Sequence, residues 1–415
     1  MKRIAIVDGF SSGKFIAKGL YEKGCELIHI SSSDELDSYY YNGFEYHIYV
    51  DSIVHEGHEG MDKTIKFISK FGAECVIAGA ESGVTLADNI NKRLELTYTN
   101  SIENISSRRN KYDMIEKIRS VGLNAVDQIK IFNWQESKTW LKDRAYPIVL
   151  KPLESAGSDG VFICKDEDEV RKAFELVSKK KNKLNLINDE VLLQDFLEGC
   201  EYVVNFVSLD GKFVTTEVVK YHKRKLESGN IVYDIDEIID SDSDEFEGLV
   251  EYTSRVCAAL GIINGPSHAE VMITKNGPYL VEIAARSDGI LRPDVASETT
   301  GLGQLAATVL SLTEPERFLD IARQPPYKLK KFSFNVCLIC PRTGIFDDHE
   351  IRKKAKELVS FQRIELYVNS GATACQTKDV FSQPGTIYLV SESKDQLWED
   401  YKKIRALEES GFYLK

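Results

Sequence analysis

Apolar runs alternate with amphipathic segments through the first third of the chain. The apolar runs predict buried strands at 3–7, 26–30, 46–50 and 75–78, and the amphipathic segments predict helices at 13–22, 60–71 and 84–93. Strands that alternate with helices predict a parallel sheet with crossover helices, whose ligands meet the carboxyl ends of the strands. Two glycine-containing turns follow such ends, at 8–14 and 79–83, and we expect both to line a cleft.

The pattern changes to a mixture of α and β segments after residue 110. An amphipathic helix is predicted at 111–122, followed by a compact unit with strands at 146–151, 161–164 and 191–194 and a helix at 167–179. A larger region runs from about 202 to 310, and the last hundred residues mix strands at 332–340, 363–369 and 386–391 with helices at 350–358 and 394–409. We therefore predict α/β structure at the amino-terminal end and α+β structure beyond it, in two or three domains.

Composition excludes several classes of function. The net charge of −12 leaves no broad basic face for nucleic acid, and no apolar run approaches the roughly 18 residues that span a bilayer. The first residues begin a strand at once, without the pattern of a cleavable signal. Eight scattered cysteines suit a reducing compartment. We expect a cytoplasmic protein without nucleic-acid or membrane partners.

Two carboxylates and an arginine stand close together around a predicted hairpin. Glu270 precedes and Glu282 follows a turn at 275–278, which predicts that they lie side by side across the strands. Like charges repel there unless a cation lies between them, and hard oxygen ligands that leave room for water and phosphate suit Mg²⁺. Arg286 can donate a fork of hydrogen bonds to a carboxylate or phosphoryl group. The alternative is an ordinary hairpin whose charges face solvent.

A loop of small residues forms a second candidate feature. Lys151 ends a predicted strand, and the loop that follows contains Ser155, Gly157, Ser158 and Gly160. The backbone N–H groups of such a loop can surround phosphate oxygens, because no bulky side chain prevents close approach. A plain turn is the alternative.

Two flanking segments strengthen the phosphate interpretation. Upstream, Lys111 opens a helix and is directed at the same cleft. Downstream, Gln194, Phe196 and Leu197 lie where a strand runs into a turn whose backbone can pair with adenine. Glu201 follows and is available for ribose hydroxyls.

The order of these features resembles that of the ATP-grasp superfamily of carboxylate–amine ligases, over about residues 1–310. The resemblance implies an N-terminal Rossmann-like parallel-sheet domain (1–110), a small lid subdomain with its leading helix (111–201) and a larger C-terminal α+β catalytic domain (202–415), in which 311–415 form an additional α+β subdomain. It implies ATP as substrate, with phosphate contacts from Lys111 and Lys151, a closing loop at 155–160, adenine contacts from Gln194, Phe196 and Leu197, a ribose contact from Glu201, magnesium on Glu270 and Glu282, and a phosphate contact from Arg286. One departure is Ala284, where many members have an Asn metal ligand, so the metals are expected to rely on two carboxylates, phosphates and water.

Finer features resemble the L-amino-acid ligase branch, whose members form dipeptides. They are the segments 78–88, 265–270 and 282–286, and the chain as a whole is similar to the arginine-accepting, rhizocticin-type members. This implies ATP-dependent ligation of two L-amino acids through an aminoacyl phosphate, with L-arginine at the amino-terminal position and two Mg²⁺ ions that Mn²⁺ can replace. Two alternatives are a different ATP-grasp ligase or carboxylase, acting on bicarbonate or a nucleotide, and an ATP-binding regulatory module. The oligomeric state stays open, a homodimer included.

His268 and four acidic residues are candidates for contacts with a substrate. His268 lies two residues before Glu270, where it can hydrogen-bond an incoming substrate or help to deprotonate its ammonium group. A histidine satisfied within the fold is the alternative. A guanidinium substrate requires a carboxylate in its pocket. The candidates for that carboxylate are Glu81, Asp236, Glu237 and Asp288.

Overall fold

A four-stranded parallel sheet forms the amino-terminal part of the computed structural model, which describes residues 1–34, 43–57, 60–155, 159–182, 184–227, 231–290 and 292–415. Its strands are β1 (Arg3–Val7), β2 (Glu26–Ser31), β3 (Asp51–Val54) and β4 (Cys75–Ala78), and its helices are α1 (Gly13–Glu22), α2 (Met61–Phe71) and α3 (Val84–Leu94). The spatial order is β3-β2-β1-β4, and each neighbouring pair is parallel. The α/β class predicted for this region is confirmed.

The strand predicted at 46–50 is wrong. Tyr46–Ile48 form a 3-10 turn, and the strand itself is β3, which begins at Asp51. Within the predicted run, Tyr46 and Val50 are 66% and 63% exposed, whereas Tyr49 packs its ring on Phe44 at a centroid distance of 5.3 Å. The apolar run therefore reflects local aromatic packing, and the true edge strand has little apolar character because it is mostly exposed.

A second, smaller sheet is antiparallel and follows the helix α4 (Lys111–Ser120). Its strands are β5 (Gln128–Ile131), β6 (Ile148–Pro152), β7 (Phe162–Cys164) and β8 (Val191–Asp195), in the order β5-β8-β6-β7. The helices between them are α5 (Trp134–Leu141) and α6 (Glu167–Val177). The helix α4 begins at Lys111 because the Asn110 side chain accepts hydrogen bonds from the backbone N–H groups of Tyr112 and Asp113. Its apolar side packs into the core of the large sheet rather than against β5–β8.

The large sheet has eight strands in the order β13-β12-β9-β10-β11-β14-β18-β16. Its elements and those around it are β9 (Cys200–Leu209), β10 (Lys212–Lys225), β11 (Ile231–Ile238), α7 (Phe246–Leu260), β12 (Gly265–Thr274), β13 (Gly277–Ala284), α8 (Pro293–Thr299), α9 (Gln304–Thr313), α10 (Pro315–Ala322), β14 (Phe332–Cys337), β15 (Gly344–Ile345), α11 (Asp348–Lys356), β16 (Phe361–Leu366), β17 (Thr373–Ala374), β18 (Gly385–Ser391) and α12 (Lys394–Glu409). Strands from the last hundred residues thus extend the same sheet. The domain boundaries stay predictions. None of the helices in the described ranges is long and apolar enough to cross a membrane.

The two faces of the large sheet differ in character. On the back face, defined by Val204, Phe206, Ile235 and Phe334, apolar side chains pack against α4, α7, α11 and α12. Side chains alternate along a strand, so the neighbours of these residues point to the opposite, front face. That face presents polar residues of several strands: Glu201, Asn205, Asp236, Glu270 and Glu282.

A buried arginine joins the amino-terminal sheet to the large sheet. Arg108 donates to the carboxylate of Asp88 in α3 at 2.8 and 3.0 Å, and to the carbonyl oxygens of Ser101 and Leu260 at 2.8 and 3.1 Å. Its side chain is fully buried, so each of these donors depends on its protein partner.

We expect Arg108→Ala to lower the free energy of unfolding by about 3–5 kcal/mol, because it leaves Asp88 as an uncompensated buried charge. The control is Arg93→Ala, which removes an ion pair to Asp62 whose side chains are 61% and 74% exposed. That change should cost no more than about 0.5 kcal/mol. Denaturant unfolding of both variants is the measurement, and equal effects would contradict the assigned role of Arg108.

Candidate active site

Two carboxylates face each other at one edge of the front face. Glu270 in β12 and Glu282 in β13 are direct cross-strand partners, as the hairpin predicted, and the turn between them is the two-residue type that ends at Gly277 with φ +98°. Among the described residues, no group of three or more His, Cys, Asp or Glu side chains converges as metal ligands. A pair of carboxylates that leaves other positions to phosphate oxygens and water fits Mg²⁺.

Two lysines lie beside this carboxylate pair. Lys111 Nζ is 2.8 Å from Glu282 Oε2 and donates to the backbone oxygen of Ser155 at 3.2 Å. Burial alone would raise the pKa of Glu282, but the nearby Lys111, Lys151 and Arg286 lower it to about 2. Burial lowers the pKa of Lys151 to about 8, helped by Lys111 and opposed by Glu282 and the other carboxylates. The site therefore concentrates positive charge next to two carboxylates, which suits a phosphate ligand.

The loop of small residues begins next to these lysines. Ser155 is buried, and Gly160 has φ +72°, where a Cβ would also meet Pro152 at 2.9 Å. Gly157 and Ser158, which were predicted to contact phosphate, lie outside the described residues. The described ends of the loop therefore lie at the lysine pair, and its phosphate contacts stay a prediction.

The predicted nucleotide hinge follows β8. The Gln194 side chain donates to Gln128 at 2.9 Å, and Phe196 and Leu197 occupy the connection to β9. Glu201 is buried at the start of β9, and Lys223 donates to it at 2.5 Å. Sequence reasoning missed the Lys223 contact, for which the basic segment 220–225 was the available signal.

Arg286 has a carboxylate partner from the amino-terminal sheet. Its Nε donates to Glu81 Oε2 at 2.7 Å, and Glu81 also forms an ion pair with Arg109. Burial would raise the pKa of Glu81, but Arg109 and Arg286 lower it overall, so the carboxylate stays ionised. The turn after β4 thus orients Arg286. Sequence reasoning did not identify Arg109, which precedes α4, as a site residue. Its position beside Asn110 and Lys111 was the only sequence signal for that role.

His268 is held by several acceptors on the front face. Its Nδ1 lies 3.0 Å from Asn205 Oδ1 and 3.4 Å from Asp288 Oδ2, and its Nε2 lies 3.9 Å from Glu270 Oε1. Burial would lower the pKa of His268, but Asp288 and Glu270 raise it to about 9. These contacts fit a histidine satisfied within the fold, and a catalytic role stays a prediction. Its cross-strand partner is Ala284, the position that departs from the family pattern.

The chain is similar to known ligases over nearly its whole length. The family model for the ATP-grasp domain matches residues 144–294. Dapdiamide A synthase of Enterobacter agglomerans is 32% identical over 414 residues, which cover 99% of this chain and 97% of that protein. Alanine–anticapsin ligase of Bacillus subtilis is 22% identical over 58% of this chain and 55% of its own length. The crystal structure of an L-amino acid ligase from Bacillus licheniformis superposes with a TM-score of 0.77 at 18% identity, covering 98% of this chain and 97% of the other.

The chain therefore belongs to the ATP-grasp family and, within it, to the L-amino-acid ligases. It is an enzyme that forms carbon–nitrogen bonds. The predicted ATP-grasp fold is confirmed.

We expect Glu270→Gln and Glu282→Gln to remove most of the effect of Mg²⁺ on nucleotide binding, because each replaces a charged ligand by an amide. Titration calorimetry with ADP, with and without Mg²⁺, should show that the gain in affinity from Mg²⁺ falls by about tenfold or more in each variant. Glu251→Gln, on the exposed side of α7, is the matched control and should keep the full gain. Either site variant retaining that gain would contradict the metal assignment.

Proposed function

We propose that this enzyme joins two L-amino acids into a dipeptide through an aminoacyl phosphate, releasing ADP and phosphate, with L-arginine at the amino-terminal position. The observation that carries the proposal is the grouping of Lys111, Lys151 and Arg286 around the Glu270–Glu282 pair, at one edge of the front face of the large sheet. The 32% identity to dapdiamide A synthase over 99% of the chain supports it.

In the first step, a carboxylate oxygen of one amino acid attacks the γ-phosphorus of ATP. The bond from that phosphorus to the β-phosphate oxygen breaks, and ADP leaves. Lys111 and Lys151 bind the phosphate oxygens and offset their charge as it moves. Glu270 and Glu282 would hold magnesium, which would further neutralise the charge of the phosphates.

In the second step, the neutral amine of the other amino acid attacks the acyl carbon. The acyl carbon–oxygen bond breaks, phosphate leaves and the nitrogen loses a proton. Negative charge develops on the acyl oxygen, and Arg286 donates to it. Glu81 fixes the guanidinium from the other side, which holds the donor in place before the reaction.

Water must be excluded while the acyl phosphate exists, because it would hydrolyse. The loop at 155–160 and the small sheet at 111–201 are the elements proposed to close over the nucleotide. The contact of Lys111 Nζ with the Ser155 backbone oxygen supports this, because it joins the start of the loop to the phosphate-binding lysines.

The proposal includes two Mg²⁺ ions, replaceable by Mn²⁺, and a cytoplasmic location. A donor set of two carboxylates supports the choice of ion, because both metals accept oxygen ligands. Free thiols support the location, since the eight cysteines are unpaired.

Phosphate release with Mg²⁺ and ATP is expected to depend on amino acids. Twenty L-amino acids are supplied singly and in pairs, and products are identified by mass spectrometry. Dipeptides with arginine at the amino-terminal position are the expected products. Phosphate release on bicarbonate or a nucleotide, with no dipeptide from any pair, would contradict the proposed reaction and favour another ATP-grasp ligase.

We expect Arg286→Lys to lower kcat by about 10²–10³, because lysine keeps the charge but loses the forked donor at the acyl oxygen. The affinity for ADP should change little, because the phosphate lysines remain. Steady-state kinetics beside the exposed control Arg255→Lys is the measurement. A kcat equal to that of the control would exclude Arg286 from the chemical step.

A further inference from the structure

A row of side chains, three of them buried, crosses the front face beyond the carboxylate pair. Tyr221, Asp236, Asn335 and Tyr388 are successive cross-strand partners on β10, β11, β14 and β18. Directly opposed residues of an antiparallel pair point to the same face, so these four side chains share the face of Glu270. Asp236, Asn335 and Tyr388 are 3%, 1% and 0% exposed.

Two acceptor atoms in this row have no hydrogen-bond partner within the described part of the chain. They are Oδ1 of Asp236 and Oδ1 of Asn335. Across the same described ranges, no Lys, Arg or His nitrogen lies within ion-pair distance of Asp236. A buried acceptor without a partner costs about 1–3 kcal/mol, and more when it is charged. Two such acceptors on adjacent strands therefore indicate a ligand that brings hydrogen-bond donors.

The other acidic candidates are already paired. Glu81 is held by two arginines, and Asp288 accepts from the Ile290 backbone at 2.7 Å beside His268. Glu237 lies one residue from Asp236 but points to the back face, where it pairs with His222 at 2.8 Å and with Lys394. Only Asp236 among these four combines deep burial with an unpaired oxygen.

In the described ranges, two further carboxylates have a buried oxygen without a partner, Asp195 and Glu217. Asp195 forms an ion pair with Arg144 through its other oxygen. Glu217 accepts a hydrogen bond from the backbone N–H of Gln304 at 3.0 Å, at the first residue of α9. Thr216 and Asn205 also hydrogen-bond its side chain, and Gly303 at the start of α9 lies against it, so α9 covers it. Glu217 is accounted for by packing between the sheet and this helix.

We propose that Asp236 and Asn335 bind the positively charged side-chain end of an amino-acid substrate, a guanidinium or an ammonium group. The inference rests on the proposed function and names the residues that select its substrate. Both unpaired atoms are acceptors, so the ligand must supply several N–H donors, and the carboxylate requires that it be positive. A guanidinium or ammonium group meets both conditions.

Distance favours the side chain of the substrate over its α-ammonium group. Asp236 is three strand spacings from Glu270, which amounts to roughly 14 Å between the strands. The reacting carboxyl group lies near Glu270 and Arg286, and its α-ammonium is only two bonds away. An extended arginine or lysine side chain reaches much further along the front face.

The tyrosine rings beside Asp236 also suit a guanidinium or ammonium group. Tyr221 is partly exposed and packs on Tyr233 at a centroid distance of 4.9 Å, so these rings border the approach to Asp236. A cation that passes over a tyrosine ring is attracted by its π face. Burial raises the pKa of Asp236 to about 8, with Asp288 and Glu201 adding to the effect, as expected of a carboxylate that lacks a positive partner.

The test compares charged ligands with neutral analogues of the same shape. L-Arginine is paired with L-citrulline, and L-lysine with L-norleucine, in calorimetric titrations of the full chain with Mg²⁺ and a non-hydrolysable ATP analogue. We expect the wild type to bind at least one cationic ligand about tenfold or more tightly than its neutral analogue. Asp236→Asn should reduce that preference to about twofold or less and leave affinity for the neutral analogue unchanged.

Glu237→Gln is the matched control, because it makes the same change one residue away on the opposite face and should keep the preference. ADP binding checks that each variant is folded. Equal affinity for charged and neutral ligands in the wild type, or a preference that survives in Asp236→Asn, would overturn the inference. Dipeptide formation from pairs of the twenty L-amino acids, arginine included, is measured in the same preparations. Dipeptides without cation selectivity contradict only the inference, and the absence of any dipeptide despite selectivity that depends on Asp236 contradicts only the proposed reaction.

Discussion

The repulsion between Glu270 and Glu282 is the constraint around which the site is built. The hairpin places both carboxylates opposite each other on one face, and burial opposes ionisation of Glu282. The cations that offset this charge come from separate parts of the chain: Lys111 begins a helix, Lys151 ends a strand of the small sheet, and Arg286 follows the hairpin. The carboxylate pair is therefore stable only when all three parts are assembled, and the assembled site suits a phosphate ligand.

Glu81 gives the amino-terminal sheet a part in this assembly. Its carboxylate lies between Arg109 and Arg286, so it connects the turn after β4 to the reactive end of the large sheet. Loss of Glu81 would leave buried arginine charges without this partner, which destabilises the fold more than the loss of an exposed ion pair. Glu81, which follows β4 of the parallel sheet, thus helps to orient Arg286, although Arg286 belongs to the segment after β13. This agrees with the tendency of such sheets to bind ligands beyond the carboxyl ends of their strands.

Buried carboxyl groups near the front face differ in their partners. Glu81, Glu282 and Asp288 have neighbouring cations, and the pKa of each is lowered. Asp236 lacks such a neighbour, and its pKa is raised. The first group has its partners within the fold, whereas the proposal supplies the partner of Asp236 from the substrate. On that proposal, one sheet carries the catalytic residues at one end and a substrate-selecting residue further along.

Local pattern in the sequence was sufficient for most strands and helices and for the position of Glu270 opposite Glu282, because alternation and a short turn determine a hairpin's register. It failed at residues 46–50, where aromatic side chains pack on one another and mimic a buried strand. Motif order pointed to Lys111, Lys151 and Arg286, but it could not reveal that Arg286 rests on Glu81, 205 residues away. Nor could it separate Asp236 from Glu81, Glu237 and Asp288. Those four differ only in which cations the tertiary structure brings to them, and the partners of a buried charge are set by strand order and helix packing rather than by neighbours in the chain.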